Sequence, residues 1–290
     1  MVKIIHFSDL HAFGGQENPD TSTLEAIVNH SNAKKADHLV FTGDIIDGKG
    51  YGKLLSKEEQ IILQNIPILI GALRSENPSE FMKNIANVEM TDDKVQEEFQ
   101  KLFPKYQNIA EKELELSEQA YTTFNQILGK SNANVEILVG NHDIVGMEGI
   151  VKNANFEPNE KFGRYFFQTG PPRTIPMDIA YQDSPEEYKK CALEQKPKVM
   201  LWHQGPYTAP GFENEDISWT KSLSSKIHLY GHNHVGYHVK YDKETKRLDV
   251  NVTSQEGYFA EIDMNDAGEP TNLKIYKIDA NNDNKKLNAA

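Results

Sequence analysis

Cysteine is almost absent from this sequence, with Cys191 the only one in 290 residues. A disulfide within the chain is therefore excluded, and nothing in the cysteine content indicates an oxidising compartment. A thiolate-rich structural zinc site is disfavoured as well, because such sites use several cysteine ligands. A metal site in this protein would therefore rely on oxygen and imidazole donors.

Long hydrophobic runs are also missing. The longest apolar stretch, residues 66–73, contains Pro67 and Gly71 and is far shorter than the roughly 20 residues that cross a bilayer. The apolar residues at the N-terminus are too few for the core of a signal peptide, and an acidic residue, Asp9, follows them. We therefore expect no membrane segment and a cytoplasmic location.

Basic residues are in the minority: 31 lysines and arginines stand against 43 aspartates and glutamates, which gives a formal net charge of −12. This charge argues against bulk electrostatic capture of nucleic acid or of an anionic membrane, since both are negatively charged. A local basic cleft is still compatible with it. The hydrophobic content of 38% supplies a sizeable core, so disorder throughout the chain is excluded.

Five predicted strands end in residues that can bind a metal ion. The strands are rich in β-branched and aromatic residues and lie at 2–8, 38–41, 135–139, 198–202 and 227–230. The donors that follow them are, in chain order, Asp9 with His11, Asp44, Asn141 with His142, His203, and His232 with His234. In open α/β sheets, ligands bind beyond the carboxyl ends of the strands, so we expect these side chains to meet.

Two of these donor sets have a spacing that suits chelation. The members of the pairs Asp9/His11 and His232/His234 are two positions apart, so both members point to the same side of an extended backbone. A mixture of carboxylate, amide oxygen and imidazole suits borderline-hard divalent ions such as Mn²⁺, Fe or Zn²⁺. These donor types, without a thiolate cluster, favour a catalytic over a structural metal site.

Residues 48–130 differ in character from the rest of the chain, being poor in strand formers and rich in Glu, Gln and Lys. Between residues 91 and 128, apolar residues recur at steps of three and four. This pattern predicts one or two amphipathic helices, with Pro104 as a kink or a break. The segment begins shortly after Asp44 and ends shortly before Asn141, so both of its ends lie beside predicted ligands. It is therefore either a lid over a substrate cleft or a support packed on an outer edge.

The sequence after His234 alternates between short strand-like runs and turns. The runs lie at 237–241, 248–252, 258–262 and 273–278, and they predict hairpins that finish a second sheet. Residues 281–290 are polar and are predicted to form a frayed, flexible tail. We therefore expect one domain over residues 1–280, with a helical insertion at about residues 50–130.

Taken in order, the strand-end motifs resemble those of the calcineurin-like metallophosphoesterase superfamily. The five signatures are Asp9-Leu10-His11, Gly43-Asp44-Ile45-Ile46-Asp47, Gly140-Asn141-His142-Asp143, His203 and Gly231-His232-Asn233-His234. The resemblance implies a four-layer α/β/β/α sandwich, in which two mixed sheets are flanked by helices. It also implies a dinuclear metal-dependent hydrolase of phosphoesters, which uses metal-activated hydroxide to attack phosphorus.

The same resemblance implies a role for each motif residue. The ligands of one ion would be Asp9, His11, Asp44 and His234, and those of the second would be Asp44, Asn141, His203 and His232. His142 would be catalytic, protonating the leaving alcohol or steadying the phosphate. Asp47 would support a ligand or cap a helix. We expect two divalent metal ions, with Mn²⁺ preferred and Fe, Zn²⁺ or Mg²⁺ as alternatives.

Two motifs separate this sequence from the protein Ser/Thr phosphatases. Those enzymes have Asp-Arg-Gly and Asn-His-Glu, where this chain has Asp47-Gly48-Lys49 and Asn141-His142-Asp143. The Asn-His-Asp form is similar to that of small phosphodiesterases and of DNA nucleases of the SbcD type. The acidic composition, with only four arginines, favours a phosphodiesterase or nucleotide phosphatase over a nuclease. A non-catalytic metal-binding scaffold is the remaining alternative, which the retention of every ligand and of His142 disfavours.

Overall fold

Two β-sheets packed face to face form the framework of the protein. The structure is a computed structural model, and it describes residues 1–11, 21–45, 55–138, 193, 196–203, 222–234, 236–278 and 287–289. Within these ranges no helix is long and apolar enough to cross a membrane. The predicted α/β class, with two mixed sheets and flanking helices, is confirmed.

The described residues form ten strands and four α-helices. The strands are β1 (Val2–Phe7), β2 (His38–Phe41), β3 (Asn134–Ile137), β4 (Val199–Leu201), β5 (Ile227–Tyr230), β6 (Tyr237–Asp242), β7 (Arg247–Val252), β8 (Tyr258–Met264), β9 (Pro270–Ile278) and β10 (Leu287–Ala289). The helices are α1 (Ser22–Lys34), α2 (Lys57–Arg74), α3 (Pro78–Ala86) and α4 (Asp92–Leu128). A short 3₁₀ turn, Ser254–Glu256, joins β7 to β8.

The first sheet has the order β10-β9-β8-β1-β2-β3, and the second has the order β4-β5-β7-β6. In the first sheet β1, β2 and β3 run parallel, and β8 pairs antiparallel with β1, placing Ile262 opposite Ile4. In the second sheet β4, β5 and β7 run parallel, and β6 pairs antiparallel with β7. The parallel strands therefore end at one edge of each sheet, where the predicted ligands follow them.

The apolar core has one layer between the sheets and another beneath the helices. Between the sheets, Ile4 and Val40 of the first sheet share a cluster with Leu229 and Val250 of the second. On the opposite face of the first sheet, α1 and the C-terminal end of α4 pack on residues such as Ile5. Since successive residues of a strand point to opposite faces, β1 contributes to both layers and is buried on both sides.

The β8–β9 hairpin lies in a different sheet from the one that the sequence predicts. Both hairpins after His234 were expected in the second sheet, but only β6–β7 lies there. The strand β8 pairs with β1 instead, because Ala260 and Ile262 then complete the apolar layer between the sheets. The frayed tail predicted over residues 281–290 is not observed at Leu287–Ala289, which pair with β9.

Most of residues 55–128 lie in the helices α2, α3 and α4, in agreement with the sequence pattern. At the start of α2, Ser56 and Glu59 form a capping box, in which each side chain accepts a hydrogen bond from the backbone N–H of the other. The helices α2 and α3 and the first half of α4 share an apolar cluster of their own, which includes Ile66 and Met82. The last turns of α4 belong to the core of the first sheet, where Phe124 is fully buried. The segment therefore has two parts, a small helical bundle and a supporting helix end.

The helix α4 continues through Pro104, so a break at this residue is excluded. A proline inside a helix removes one backbone hydrogen bond and costs about 3 kcal/mol. Buried side chains on both sides of it offset this cost, since each large apolar residue taken from water contributes about 1.5–3 kcal/mol. Val95 and Tyr106 are buried in the bundle, and Phe124 is buried beneath the first sheet.

Candidate metal centre

Loops that follow four parallel strands meet at one end of the two sheets. Residues 8–11 follow β1, residues 42–45 follow β2, residues 202–203 follow β4 and residues 231–234 follow β5. Within the first sheet Asp9 N donates to Gly43 O at 2.8 Å, and within the second Gly231 N donates to His203 O at 3.0 Å. Across the sheets, His232 N donates to both carboxylate oxygens of Asp9, at 2.9 Å each.

Four of the predicted ligands form a first group, in which one donor atom of each lies within 4.8 Å of the others. They are Asp9, His11, Asp44 and His234. Nε2 of His234 lies 3.3 Å from Oδ1 of Asp9 and 3.0 Å from Nε2 of His11. Nε2 of His11 lies 3.6 Å from Oδ2 of Asp44. The two carboxylates are fully buried, whereas the His234 side chain is 43% exposed, so the group opens to solvent on one side.

A second group consists of Asp44, His203 and His232. Oδ2 of Asp44 lies 3.2 Å from Nε2 of His203, which in turn lies 3.3 Å from Nδ1 of His232. Asp44 belongs to both groups, which is the position of a bridging carboxylate. The seventh predicted ligand, Asn141, lies outside the described residues, as do His142 and Asp47.

The spacing of the donor atoms fits divalent cations. Two ligands at about 2.1 Å from the same ion are about 3.0 to 4.2 Å apart, depending on the angle between them. Several separations between donor atoms of the two groups lie in this range, from 3.0 Å for His11 and His234 to 3.9 Å for His11 and Asp9. The donor set is carboxylate and imidazole, which suits ions such as Mn²⁺, Fe and Zn²⁺.

The orientation of His203 provides a second test of this fit. Its Nδ1 lies 2.7 Å from the backbone oxygen of Thr42, which can only accept, so Nδ1 carries the proton. In the neutral ring Nε2 then has a lone pair, and that lone pair faces Oδ2 of Asp44 across 3.2 Å. A cation between the two atoms turns this repulsion into attraction. A carbonyl that fixes the tautomer of a histidine ligand in this way is typical of metal sites.

The two histidines of the loop after β5 have opposite pKa shifts. Burial lowers the pKa of His232, and the neighbouring His203 lowers it further. A hydrogen bond to the Asp9 carboxylate raises the pKa of His234. The lowered pKa favours the neutral ring of His232, which has a lone pair for an ion, whereas the raised pKa means that His234 keeps its proton to higher pH and has to release it before it binds an ion. Metal binding at the first group is thus coupled to proton release.

Four of the six described ligands have a left-handed backbone, with φ of 50° at Asp9, 43° at His11, 61° at Asp44 and 69° at His232. This conformation costs a non-glycine residue on the order of 1 kcal/mol or more, and it persists only where the surroundings impose it. Hydrogen bonds between the loops do so here: Asp9 N donates to Gly43 O, and His11 N donates to Asp44 O at 3.1 Å. Strain stored at neighbouring ligands is the usual sign of a functional site.

Residues 251–255 also contact the ligand loops, although no motif in the sequence marks them. The side chain of Asn251 donates to Gly231 O at 2.6 Å, and that of Thr253 donates to Asn233 O at 3.1 Å. For Thr253, Ser254 and Gln255 the signal that could have revealed them is the same as for the ligands, because these polar residues directly follow the predicted strand at 248–252. Asn251 lies within that strand and has no such signal.

Gly231→Ala should weaken both folding and metal binding. A Cβ at this position would overlap Ser8 Oγ and Asp9 Oδ2 and lie 2.8 Å from Ser8 Cβ, so the Asp9 carboxylate has to move. Overpacking of this kind costs about 1–3 kcal/mol in the free energy of unfolding. We expect Mn²⁺ affinity to fall by about 10-fold or more, as for other changes beside metal ligands. Denaturant unfolding and calorimetric Mn²⁺ titration measure the two effects.

Gly129→Ala is the matched control, since its φ is −61° and its nearest contact would be 3.2 Å, at the end of α4. It should leave Mn²⁺ affinity unchanged. A Gly231→Ala protein that binds Mn²⁺ as tightly as the wild type would show that the close approach of Gly231 to Asp9 is unimportant.

The sequence matches one family model over most of its length. The model described as calcineurin-like phosphoesterase covers residues 2–236. Among curated proteins, none matches this sequence.

Several solved structures are similar in overall shape at low sequence identity. The protein TT1561 of Thermus thermophilus is 15% identical, with a TM-score of 0.49 and coverage of 95% of this chain and 98% of that one. A dimetal phosphatase from Danio rerio is 11% identical, with a TM-score of 0.46 and coverage of 95% and 92%. Purple acid phosphatase PPD1 from yellow lupin (Lupinus luteus) seeds is 12% identical, with a TM-score of 0.49 and coverage of 99% and 52%.

Proposed function

The chain belongs to the calcineurin-like phosphoesterase family and is a metal-dependent phosphoesterase, and from this premise we propose that it hydrolyses phosphodiesters or nucleotides at a dinuclear centre. The observation that supports the proposal most strongly is the sharing of the buried Asp44 carboxylate by two groups of donors. A pair of divalent ions joined by one carboxylate is the arrangement that serves in-line displacement at phosphorus.

Each described ligand has a place in this proposal. One ion would be held by Asp9, His11, Asp44 and His234, and the other by Asp44, His203 and His232, together with Asn141. We propose Mn²⁺ for both positions, because the donors are oxygen and imidazole nitrogen without a thiolate. The partly exposed side of the first group, at His234, is the side from which a phosphoester would approach.

The chemistry divides between the ions and the chain. Bound divalent ions lower the pKa of water and offset charge on phosphoryl oxygens, which supplies a nucleophile at neutral pH. Asp9 and Asp44 would hold the ions, and the backbone oxygen of Thr42 fixes the ring of His203. His142 donates a proton to the leaving alcohol, and no covalent intermediate with the enzyme is needed.

A substrate panel tests the proposed function. Protein loaded with Mn²⁺ is assayed on a nitrophenyl phosphate monoester, a bis-nitrophenyl diester, nucleotides, cyclic nucleotides and linear DNA, with chelator-treated protein as the control. We expect hydrolysis of diesters or nucleotides that disappears with chelator and returns with Mn²⁺. Degradation of linear DNA at a rate matching the small diesters would favour the nuclease alternative. Metal-independent hydrolysis, or none on any substrate, would overturn the proposal.

The helical bundle is the feature that we expect to select substrates by size. It leaves the framework just after Asp44 and Ile45 and returns through α4, and an element attached there is well placed to control access. Glu58 and Lys105 form an ion pair at 2.6 Å, so the start of α2 lies beside the middle of α4. Residues 57–105 can therefore be replaced by a short Gly/Ser linker while the end of α4 keeps its place in the core.

The shortened protein should retain Mn²⁺ binding and activity on the small nitrophenyl diester. The ratios of kcat/KM between the larger substrates should change several-fold, because access to the site no longer depends on the bundle. The measurement is kcat/KM for each substrate of the panel. An unchanged ranking would mean that the bundle only supports the fold, the alternative that the sequence leaves open.

A further inference from the structure

The connection from β7 to β8 joins the two sheets next to the ligand loops. It begins at the end of β7 in the second sheet, passes through the 3₁₀ turn Ser254–Glu256 and enters β8 in the first sheet. Residues 251–255, which we call the crossover, contain no predicted metal ligand. Most of their side chains are nevertheless buried, including those of Asn251, Thr253 and Ser254.

On one side the crossover holds the loop that contains His232 and His234. Nδ2 of Asn251 donates to the backbone oxygen of Gly231 at 2.6 Å, immediately before His232. Oγ1 of Thr253 donates to the backbone oxygen of Asn233 at 3.1 Å, between the two histidines. Both bonds are made by side chains, so they depend on the identity of these two residues.

On the other side the crossover holds the loop that contains Asp9. Ser254 N donates to Ser8 O at 2.8 Å, and Gln255 N donates to Asp9 O at 2.9 Å. Ser8 N donates in return to Oγ of Ser254 at 3.3 Å. These bonds span the two sheets, since Asp9 follows β1 and the crossover leaves β7.

Asn251 holds the ligand loop through the N–H donor of its side-chain amide alone. Its side chain is fully buried, and within the described part of the chain its Oδ1 has no hydrogen-bond partner. The 2.6 Å contact with a carbonyl oxygen requires an N–H on the Asn251 side. An aspartate of the same shape would bring two oxygens together there, so the loop of His232 would have to move.

We propose that Asn251 and Thr253 are positioning residues for the metal centre, which set the place of His232 and His234 relative to Asp9. This inference rests on the proposed function, in that the two groups are taken to hold metal ions. The residues act through the backbone of the ligand loop and touch no ion. Partners of this kind typically change metal affinity by about 10- to 100-fold when they are replaced.

The test compares isosteric variants by calorimetric titration with Mn²⁺ and by thermal unfolding of the metal-free protein. Asn251→Asp should bind Mn²⁺ about 10- to 100-fold more weakly than the wild type. Asp249→Asn is the matched control: it is the reverse exchange, at a buried position of the same strand, and it removes an ion pair with Arg247 at 3.0 Å. It should lower the unfolding temperature and leave Mn²⁺ affinity unchanged.

Thr253 provides a second pair of variants that does not depend on how Asn251→Asp folds. Thr253→Val keeps the shape and removes the donor, so its Mn²⁺ affinity should fall several-fold. Thr253→Ser keeps the hydroxyl and should restore most of that loss. The visible spectrum of Co²⁺-substituted protein should change in Asn251→Asp and Thr253→Val and match the wild type in Thr253→Ser.

The outcomes separate this inference from the proposed function. If the wild type binds Mn²⁺ and the variants at residues 251 and 253 bind it equally well, the crossover has no positioning role, while the metal centre stands. The same conclusion follows if Asp249→Asn weakens binding as much as Asn251→Asp does. If the wild type itself binds no Mn²⁺, the dinuclear proposal fails.

Discussion

Asp44→Asn is expected to lose most of its metal at both positions and to lower phosphodiester turnover by about 10³-fold or more. Oδ2 of Asp44 lies 3.6 Å from Nε2 of His11 in one group and 3.2 Å from Nε2 of His203 in the other. The amide has no negative charge with which to bridge two cations. Loss of both ions removes several kcal/mol of transition-state stabilisation, and each 1.4 kcal/mol or so is tenfold in rate.

His11→Ala is the informative comparison, because His11 belongs to the first group alone. Elemental analysis of proteins purified with Mn²⁺ should show two ions per chain for the wild type, about one for His11→Ala and well below one for Asp44→Asn. Equal metal content in Asp44→Asn and the wild type would refute the bridging role. A wild type with only a trace of metal would refute the centre altogether.

His142→Asn is expected to lower turnover by about 10²- to 10⁴-fold while leaving the metal content intact. His142 follows the predicted ligand Asn141 in the sequence, and we propose that its side chain acts on the substrate rather than on an ion. A positioned acid matters most when the departing alcohol is a poor leaving group. The loss should therefore shrink for a nitrophenyl diester, whose leaving group needs little protonation.

The measurement is kcat for a series of diesters whose alcohols differ in pKa, on wild type and variant loaded with Mn²⁺. Elemental analysis of the same samples verifies that both ions remain. A steeper dependence of kcat on leaving-group pKa in the variant supports proton donation. The same loss on good and poor leaving groups would assign His142 to holding the phosphate instead.

Much of the site can be predicted from the sequence because its logic is local. A strand followed directly by Asp9 or by His203 places the side chain at the carboxyl edge of a sheet, wherever that sheet lies. The separation of two positions within the pair Asp9/His11 can be seen in the printed sequence. In the structure, Asp9 and His11 belong to the same group of donors, whereas His232 and His234 belong to different groups, so the predicted chelation by the second pair is wrong. The backbone is left-handed rather than extended at Asp9 and at His232.

The parts that sequence does not predict depend on contacts between distant segments. The choice of sheet for β8 follows from the fit of Ala260 and Ile262 into the layer between the sheets, which alternation along one strand does not reveal. The role of Asn251 depends on its lying next to β5, where Tyr230 is its partner in the ladder. The left-handed backbone at Asp9 arises from hydrogen bonds with another loop and has no local signature.

Anomalous X-ray scattering at the manganese edge, from crystals of the Mn²⁺-loaded wild type, tests the central claim most directly. We predict two strong peaks on either side of the Asp44 carboxylate, one beside Asp9, His11 and His234 and the other beside His203 and His232. A single peak, or two peaks that do not share Asp44, would contradict the dinuclear centre.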